Sequence, residues 1–185
     1  MMTDNAYQQI DFSKIAPQSE YEECVFTGCS FANVDLSNIN FIDCTFESCD
    51  FTLAKFHNTG LKDVRFSNCK LMGLFFNDCN PFLLKMHFKS CQLEYASFTG
   101  LKLEKIEFVE CQMREVDFTE SDLGTAIFQR CDLEGATFEY TNLQKADFRT
   151  AYKYAFDPAV NQVKGAKFSR MDLEGLLQKF DLDLS

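Results

Sequence analysis

The chain has 185 residues with 18 Lys and Arg against 28 Asp and Glu, a formal net charge of −10. That balance excludes a binder that holds nucleic acid by neutralising phosphates, and favours a basic partner surface or simple solubility. Nine Cys and only two His, His57 and His87, occur with no CxxC pair, so neither a zinc site of familiar spacing nor a thiol–base pair is written into the chain.

The start, MMTDNAYQQIDF, has no basic region followed by an apolar stretch, and no run of 18 apolar residues occurs anywhere. The expectation is a cytoplasmic protein. Residues 1–23, with Phe12, Pro17 and Tyr21, are off-register or only weakly patterned, and are expected to cap the open end of a patterned region that begins at Cys24.

From Cys24 to Thr150 the chain counts in fives. Phe26, Phe31, Leu36, Phe41 and Phe46 set a step that runs to Phe76, resumes at Phe88 and continues to Phe148. A period of five fits neither the 3.6-residue helix nor the 2-residue strand, so the chain must turn a corner every few residues and stack coil on coil. Most of the 21 Phe are locked to this step and are therefore core filler. All nine cysteines fall two residues before a central position, where a small buried apolar group suits a narrow interior.

Cys29, Cys49 and Cys69 are 20 residues apart, as are Cys91, Cys111 and Cys131, with 22 between the two sets. Four repeats therefore make one coil, and removing two residues between Asn80 and Lys85 joins both sets into one ladder. The same shift aligns Phe26, Phe46 and Phe66 with Phe88, Phe108, Phe128 and Phe148. Pro81 cannot donate a ladder hydrogen bond, so the interruption at 80–85 reads as a tolerated bulge or as a small protruding recognition feature.

The repeats ATFEY, TNLQK, ADFRT, CDLEG and SDLGT resemble the pentapeptide-repeat consensus of a small residue, Asp or Asn, Leu or Phe, and two variable positions. The resemblance implies an all-β fold, a right-handed quadrilateral parallel β-helix spanning 24–150. Just over six coils at roughly 4.8 Å each give a rod of about 30 Å.

Beyond it, residues 151–185 make an excursion, YKYAFDPAVN, before Val163, Phe168 and Leu173 restore the step. Leu173, Leu176, Leu177 and Phe180 then follow i, i+3, i+4, i+7, which predicts a short amphipathic α-helix that caps its own coil or pairs with a twin. The tail DPAVNQVKGAKFS followed by GLLQKFDLDL is similar to the C-terminus of the quinolone-resistance group of pentapeptide proteins, Qnr and MfpA relatives. That similarity implies a homodimer joined end to end, with these four residues as candidate contacts. It also implies a partner among type II topoisomerases, DNA gyrase or topoisomerase IV, bound by an acidic rod that resembles a DNA duplex.

The register assigns each charge to a face. On the cysteine-ladder face Asp50, Glu94, Glu115, Asp132 and Glu134 oppose Lys70 and Arg114; on the next, Asp35, Asp78, Asp117, Glu120 and Glu139 oppose only Lys55. The other two faces balance, so these ten carboxylates are the candidate partner-binding surface. The chain lacks the sizeable loops by which the Gram-negative Qnr proteins depart from a plain coil, which makes quinolone protection the weaker half of the expectation. The competing reading is a scaffold module docking some other protein, its acidity serving only solubility. No cofactor and no metal are implied. Asp117 and Asp122 fall on different faces and do not converge for acid–base work, so no enzyme is expected.

Overall fold

The computed structural model describes residues 2–3, 5–180 and 182–183. It is the quadrilateral parallel β-helix that the step of five implies, with very short strands. These are β1 (Met2–Thr3), β2 (Ala6–Gln8), β3 (Glu20–Glu22), β4 (Val25–Thr27), β5 (Asn40–Ile42), β6 (Thr45–Glu47), β7 (Gly60–Lys62), β8 (Val64–Ser67), β9 (Met86–Lys89), β10 (Glu107–Val109) and β11 (Ile127–Gln129). One sheet runs β1-β2-β4-β6-β8-β9-β10-β11 and a second β3-β5-β7. The remaining faces are held by single bridges such as Asp50 to Lys70 and Asp117 to Thr137.

Register follows the column arithmetic. Phe46 pairs with Phe66, Phe66 with Phe88 across the 22-residue step, and Phe88 with Phe108. Within a column the rings stack, as Phe26 on Phe46 at 4.6 Å and 14°, while adjacent columns meet edge to face, as Phe46 and Phe51 at 5.0 Å and 81°. Both geometries match the ring quadrupole, and Phe interspersed with Leu or Met at the buried central positions fills the coil.

Corners are closed by left-handed backbone two residues after the central position, at Asn33, Asn38, Asp43, Leu53, Tyr95, Glu120 and Tyr140 among others. Asn and Asp adopt this region readily; Leu and Tyr do so at a cost.

The coil reaches further toward the N-terminus than the fives suggest. Tyr7 stacks on Phe26 at 4.7 Å and Phe12 on Phe31 at 4.4 Å, each 19 residues from its partner. Nine residues rather than ten separate Phe12 from Tyr21, and this one-residue shortfall around Pro17 hides the first coil from a count in fives. β1 then pairs antiparallel with β2 and covers its outer edge, so the open ladder is not exposed there.

At the far end, Phe148 stacks on Phe168 and Phe156 leans over Phe138. The C-terminal segment is helical, wound as two 3₁₀ stretches, Arg170–Leu176 and Gln178–Phe180, with a break at Asp172. Ser169 Oγ accepts from Met171 N at the first of these. The tighter winding divides the apolar stripe. Leu176 packs against the core, Leu177 is half-buried, and Leu173 and Phe180 face outward.

Candidate protein-binding faces

The cysteine slot does more than fill space. All nine cysteines are free and buried. Along the ladder the thiols of Cys29, Cys49, Cys69, Cys91 and Cys131 approach the carbonyls of Tyr7, Phe26, Phe46, Phe66 and Phe108 at 3.4 Å. Elsewhere the same slot holds Thr59, Thr141 and Asn161, which donate to Leu36, Phe118 and Phe138 O at 2.8, 2.9 and 2.7 Å. Each acceptor is the carbonyl of a central residue on the preceding coil, and this slot is where a donor reaches it. Burial pushes the Cys44 thiol up to about 12, the opposite of what a nucleophile needs.

The position just before each central residue is equally structural. Asp35, Asp50, Asp117 and Asp132 each accept the backbone N–H two residues on, from Ser37, Thr52, Thr119 and Glu134 at 3.0, 2.9, 2.9 and 3.3 Å. These are Asx turns that shape the corner. Ser37's hydroxyl and amide hold the Asp35 carboxyl below the usual carboxylate range. Burial works against ionisation of Asp50 and Asp117, but hydrogen bonds from Thr52 and Thr119 outweigh it and both carboxyls sit low.

The ten candidate carboxylates therefore divide. Asp132 is only 3% exposed and is held by Arg114 Nε at 2.8 Å, with Lys153 Nζ at 3.9 Å. Glu134 meets Lys153 at 2.7 Å, and Asp50 lies 3.8 Å from Lys70. Lys153 sits next to Tyr152, which bridges to Asp132, so the excursion brings an extra cation to the cysteine-ladder face that the repeat count leaves out. On that face Glu94 and Glu115 have no ion-pair partner among the described residues. The next face differs. Asp35, Asp78, Asp117, Glu120 and Glu139 have no cation within ion-pair distance among the described residues, although Lys55, bridged to Asp35 from the next coil, helps to lower its carboxyl, and all but Asp117 are exposed. Negative potential is thus concentrated on this one face, with Glu94 and Glu115 at its flank.

His57 is exposed, and His87 Nε2 lies 3.2 Å from Asp63 Oδ1 on the opposite side of the coil. Among the described residues no three His, Cys, Asp or Glu are grouped to hold a metal ion, and no helix is long and apolar enough to cross a membrane.

A stacked coil with four outer faces and a repeat of five is a solenoid of the pentapeptide class. Family models described as "Pentapeptide repeat region" and "Pentapeptide repeats (8 copies)" match residues 18–98 and 39–118, and 122–152. The chain belongs to the pentapeptide-repeat family. Full-length QnrB1, a plasmid-mediated fluoroquinolone resistance protein, shares the fold with a TM-score of 0.59 at 16% identity, over 96% of this chain and 97% of that one. A trypsin-treated QnrB1 variant is 20% identical over 98% of both chains, with a TM-score of 0.48. HetL of the cyanobacterium Nostoc sp., a pentapeptide repeat protein involved in heterocyst differentiation regulation, is 14% identical over 88% of both, with a TM-score of 0.30. No curated protein matches the sequence.

Proposed function

We propose that this chain is a non-enzymatic cytoplasmic protein that binds the DNA-binding surface of a type II topoisomerase, DNA gyrase or topoisomerase IV, in place of DNA. The observation that supports this reading is the face of Asp35, Asp78, Asp117, Glu120 and Glu139, whose carboxylates have no cation within ion-pair distance among the described residues and are opposed on that face only by Lys55. A rigid rod with a row of unneutralised negative charge presents to a basic groove what a duplex presents, and it releases the same counterions. The likeness to QnrB1, together with the similarity of the tail to that group, makes a topoisomerase the preferred partner. Two rods joined through Leu173, Phe180 and the half-buried Leu176 and Leu177 would meet end to end and lengthen the acidic rod. Met171 at 90% exposure and Phe180 at 56% leave apolar surface there for a second copy.

The test is DNA supercoiling by purified gyrase, with and without a quinolone. The protein is expected to inhibit supercoiling at micromolar dose and to relieve drug-induced cleavage. The Glu120→Lys/Glu139→Lys double variant, which touches no hydrogen bond of the corners, should be at least about tenfold weaker. No inhibition and no relief would sink the topoisomerase reading in favour of a scaffold docking another protein. Sedimentation of Phe180→Asp addresses the dimer separately: a mass of two chains falling to one supports it, and one chain in the unchanged protein refutes it.

A further inference from the structure

The two extra residues at 80–85 open a gap in the coil. Asn80 still bridges to Gly60, and Lys85 N still donates to Leu61 O at 2.9 Å, so the chain rejoins the coil beneath it. Above it the ladder is broken. In the next coil Asp122 N donates to Leu101 O, Leu103 N to Asp122 O and Lys105 N to Gly124 O. On the side facing the bulge, Lys102 N–H and the carbonyls of Lys102 and Glu104 have no hydrogen-bond partner among the described residues. Pro81 has no N–H to give, and Phe82 N turns aside to Asn80 Oδ1 at 2.9 Å. The result is a short length of unpaired backbone edge beside the bulge.

Beside that edge lies a groove of about 430 Å³, floored by Leu83, Leu84, Leu103 and Ile106. Its size is that of an ordinary binding pocket, which runs from about 300 to 1,000 Å³. Leu83 lines it at 66% exposure, and its chain neighbour Phe82, equally exposed, lies beneath Lys62 Nζ at 5.7 Å. Lys85, His87, Lys102 and Lys105 line the opening together with Glu104, and Lys62 stands nearby over Phe82. Lys85 is spent on Asp63 at 2.7 Å, where Arg65 also binds, but Lys62, Lys102 and Lys105 have no carboxylate partner among the described residues. The groove is apolar at the centre, and the unpaired charges beside it are Lys62, Lys102 and Lys105 against the exposed Glu104 that also lines it, a local cationic excess in a chain of net charge −10.

We infer that the groove is a second docking site, for an extended segment of a partner protein that carries an apolar side chain flanked by carboxylates. The exposed edge supplies main-chain pairing by strand addition. Alternate side chains of an extended segment point to opposite sides, so one enters the groove while its neighbours face the lysines. The site lies on the face opposite the cysteine ladder and has the opposite charge preference to the acidic face, so it is independent of the topoisomerase reading.

The probe is an end-blocked, fluorescein-labelled heptapeptide of sequence DEVFVED, read by fluorescence anisotropy with the intact protein. Saturable one-to-one binding is expected. It should weaken as salt is raised, and fall at least about tenfold with Lys102→Glu/Lys105→Glu, whose side chains are exposed and make no contact needed for folding. It should also fall when the central peptide N–H is methylated, and be unchanged by Glu120→Lys/Glu139→Lys. The lysine-flanked counterpart KKVFVKK should not bind. Overturning results are no saturable binding of the acidic peptide, equal binding by the Lys102→Glu/Lys105→Glu variant, or indifference to N-methylation. Binding of laurate with the same lysine dependence, while the peptide fails to bind, would assign the groove to a small apolar acid and equally overturn the proposal.

Discussion

A Cβ on Gly175 would collide with the backbone carbonyl of Tyr154. Phe156 N donates to Gly175 O at 3.2 Å in the same contact, so the C-terminal helical segment is laid directly on the excursion that closes the coil. Only glycine permits that approach. Gly175→Ala must lift the segment, and Leu176 with it, from the core. The expected cost is about 1–3 kcal/mol, confined to the end of the rod because each coil contacts only its neighbours. Hydrogen exchange would show faster exchange around 151–180 and an unchanged rate at β4 and β6; uniform acceleration along the chain would contradict the local cap.

Buried thiol and phenol groups give the rod an alkaline weakness. Burial raises the Cys44 thiol from its ordinary 9.0 to about 12, and burial followed by the charge of Asp172 raises the Tyr154 phenol to about 12. A group that holds its proton more tightly when folded contributes its full stability below its unfolded pKa and loses it as pH rises through the folded value. Stability should therefore decline between about pH 9 and 12, the window set by these groups. At the acid end, the Arg149 guanidinium 2.7 Å from Asp147 holds that carboxyl low, so its contribution is present above the ordinary 3.8 and fades below it. Denaturant titrations across pH would show both slopes. In the native state at pH 8 a thiol reagent should label none of the nine cysteines, and Cys69→Ala should cost about 1–2 kcal/mol through lost volume and the lost contact to Phe46 O.

Leu53 combines two unfavourable features, a left-handed φ of 58° and 66% exposure. Asn33 and Asn38 hold equivalent corners with a residue suited to that conformation. Leu53→Asn should raise stability by about 0.5–1 kcal/mol, since the left-handed region costs a branched side chain about that much more than Asn. A fall in thermal midpoint would show that Leu53 makes a contact worth more than the strain.

The five-residue step, the four-sided coil and the two-residue slip are all legible from Phe and Cys alone, because a repeated core writes the same residue at the same place on every turn. The features that escape the sequence do so for a physical reason in each case. Tyr7 and Phe12 are hidden by a single missing residue before Tyr21. The 3₁₀ winding of Arg170–Leu176 depends on how the segment lands on Tyr154, a long-range contact that no local period encodes. Among the candidate carboxylates, face, sign and register position can be read directly, but Asp132 and Asp117, both just before a central residue, look alike in sequence. Only the approach of Arg114 and the excursion's Lys153 separates a buried structural ion pair from a carboxylate with no cation beside it.

Tyr154 is the least satisfied group at the core. Its ring is 2% exposed and packs against Phe148 and Phe168, yet its hydroxyl has no hydrogen-bond partner among the described residues. A buried donor without an acceptor forfeits the hydration it had when unfolded and receives nothing in return, whereas an apolar group of the same shape carries no such penalty. Tyr154→Phe keeps the ring contacts and removes the orphaned hydroxyl, so it should stabilise the chain by about 0.5–2 kcal/mol. The same substitution removes one of the two groups that titrate near 12, so the gain should persist at pH 7 and widen as pH rises. Thermal unfolding of the two proteins at pH 7 and pH 10 reads both effects together. A loss of stability at pH 7 would mean that the hydroxyl is hydrogen-bonded in solution, and an equal difference at both pH values would mean that Tyr154 does not set the alkaline slope.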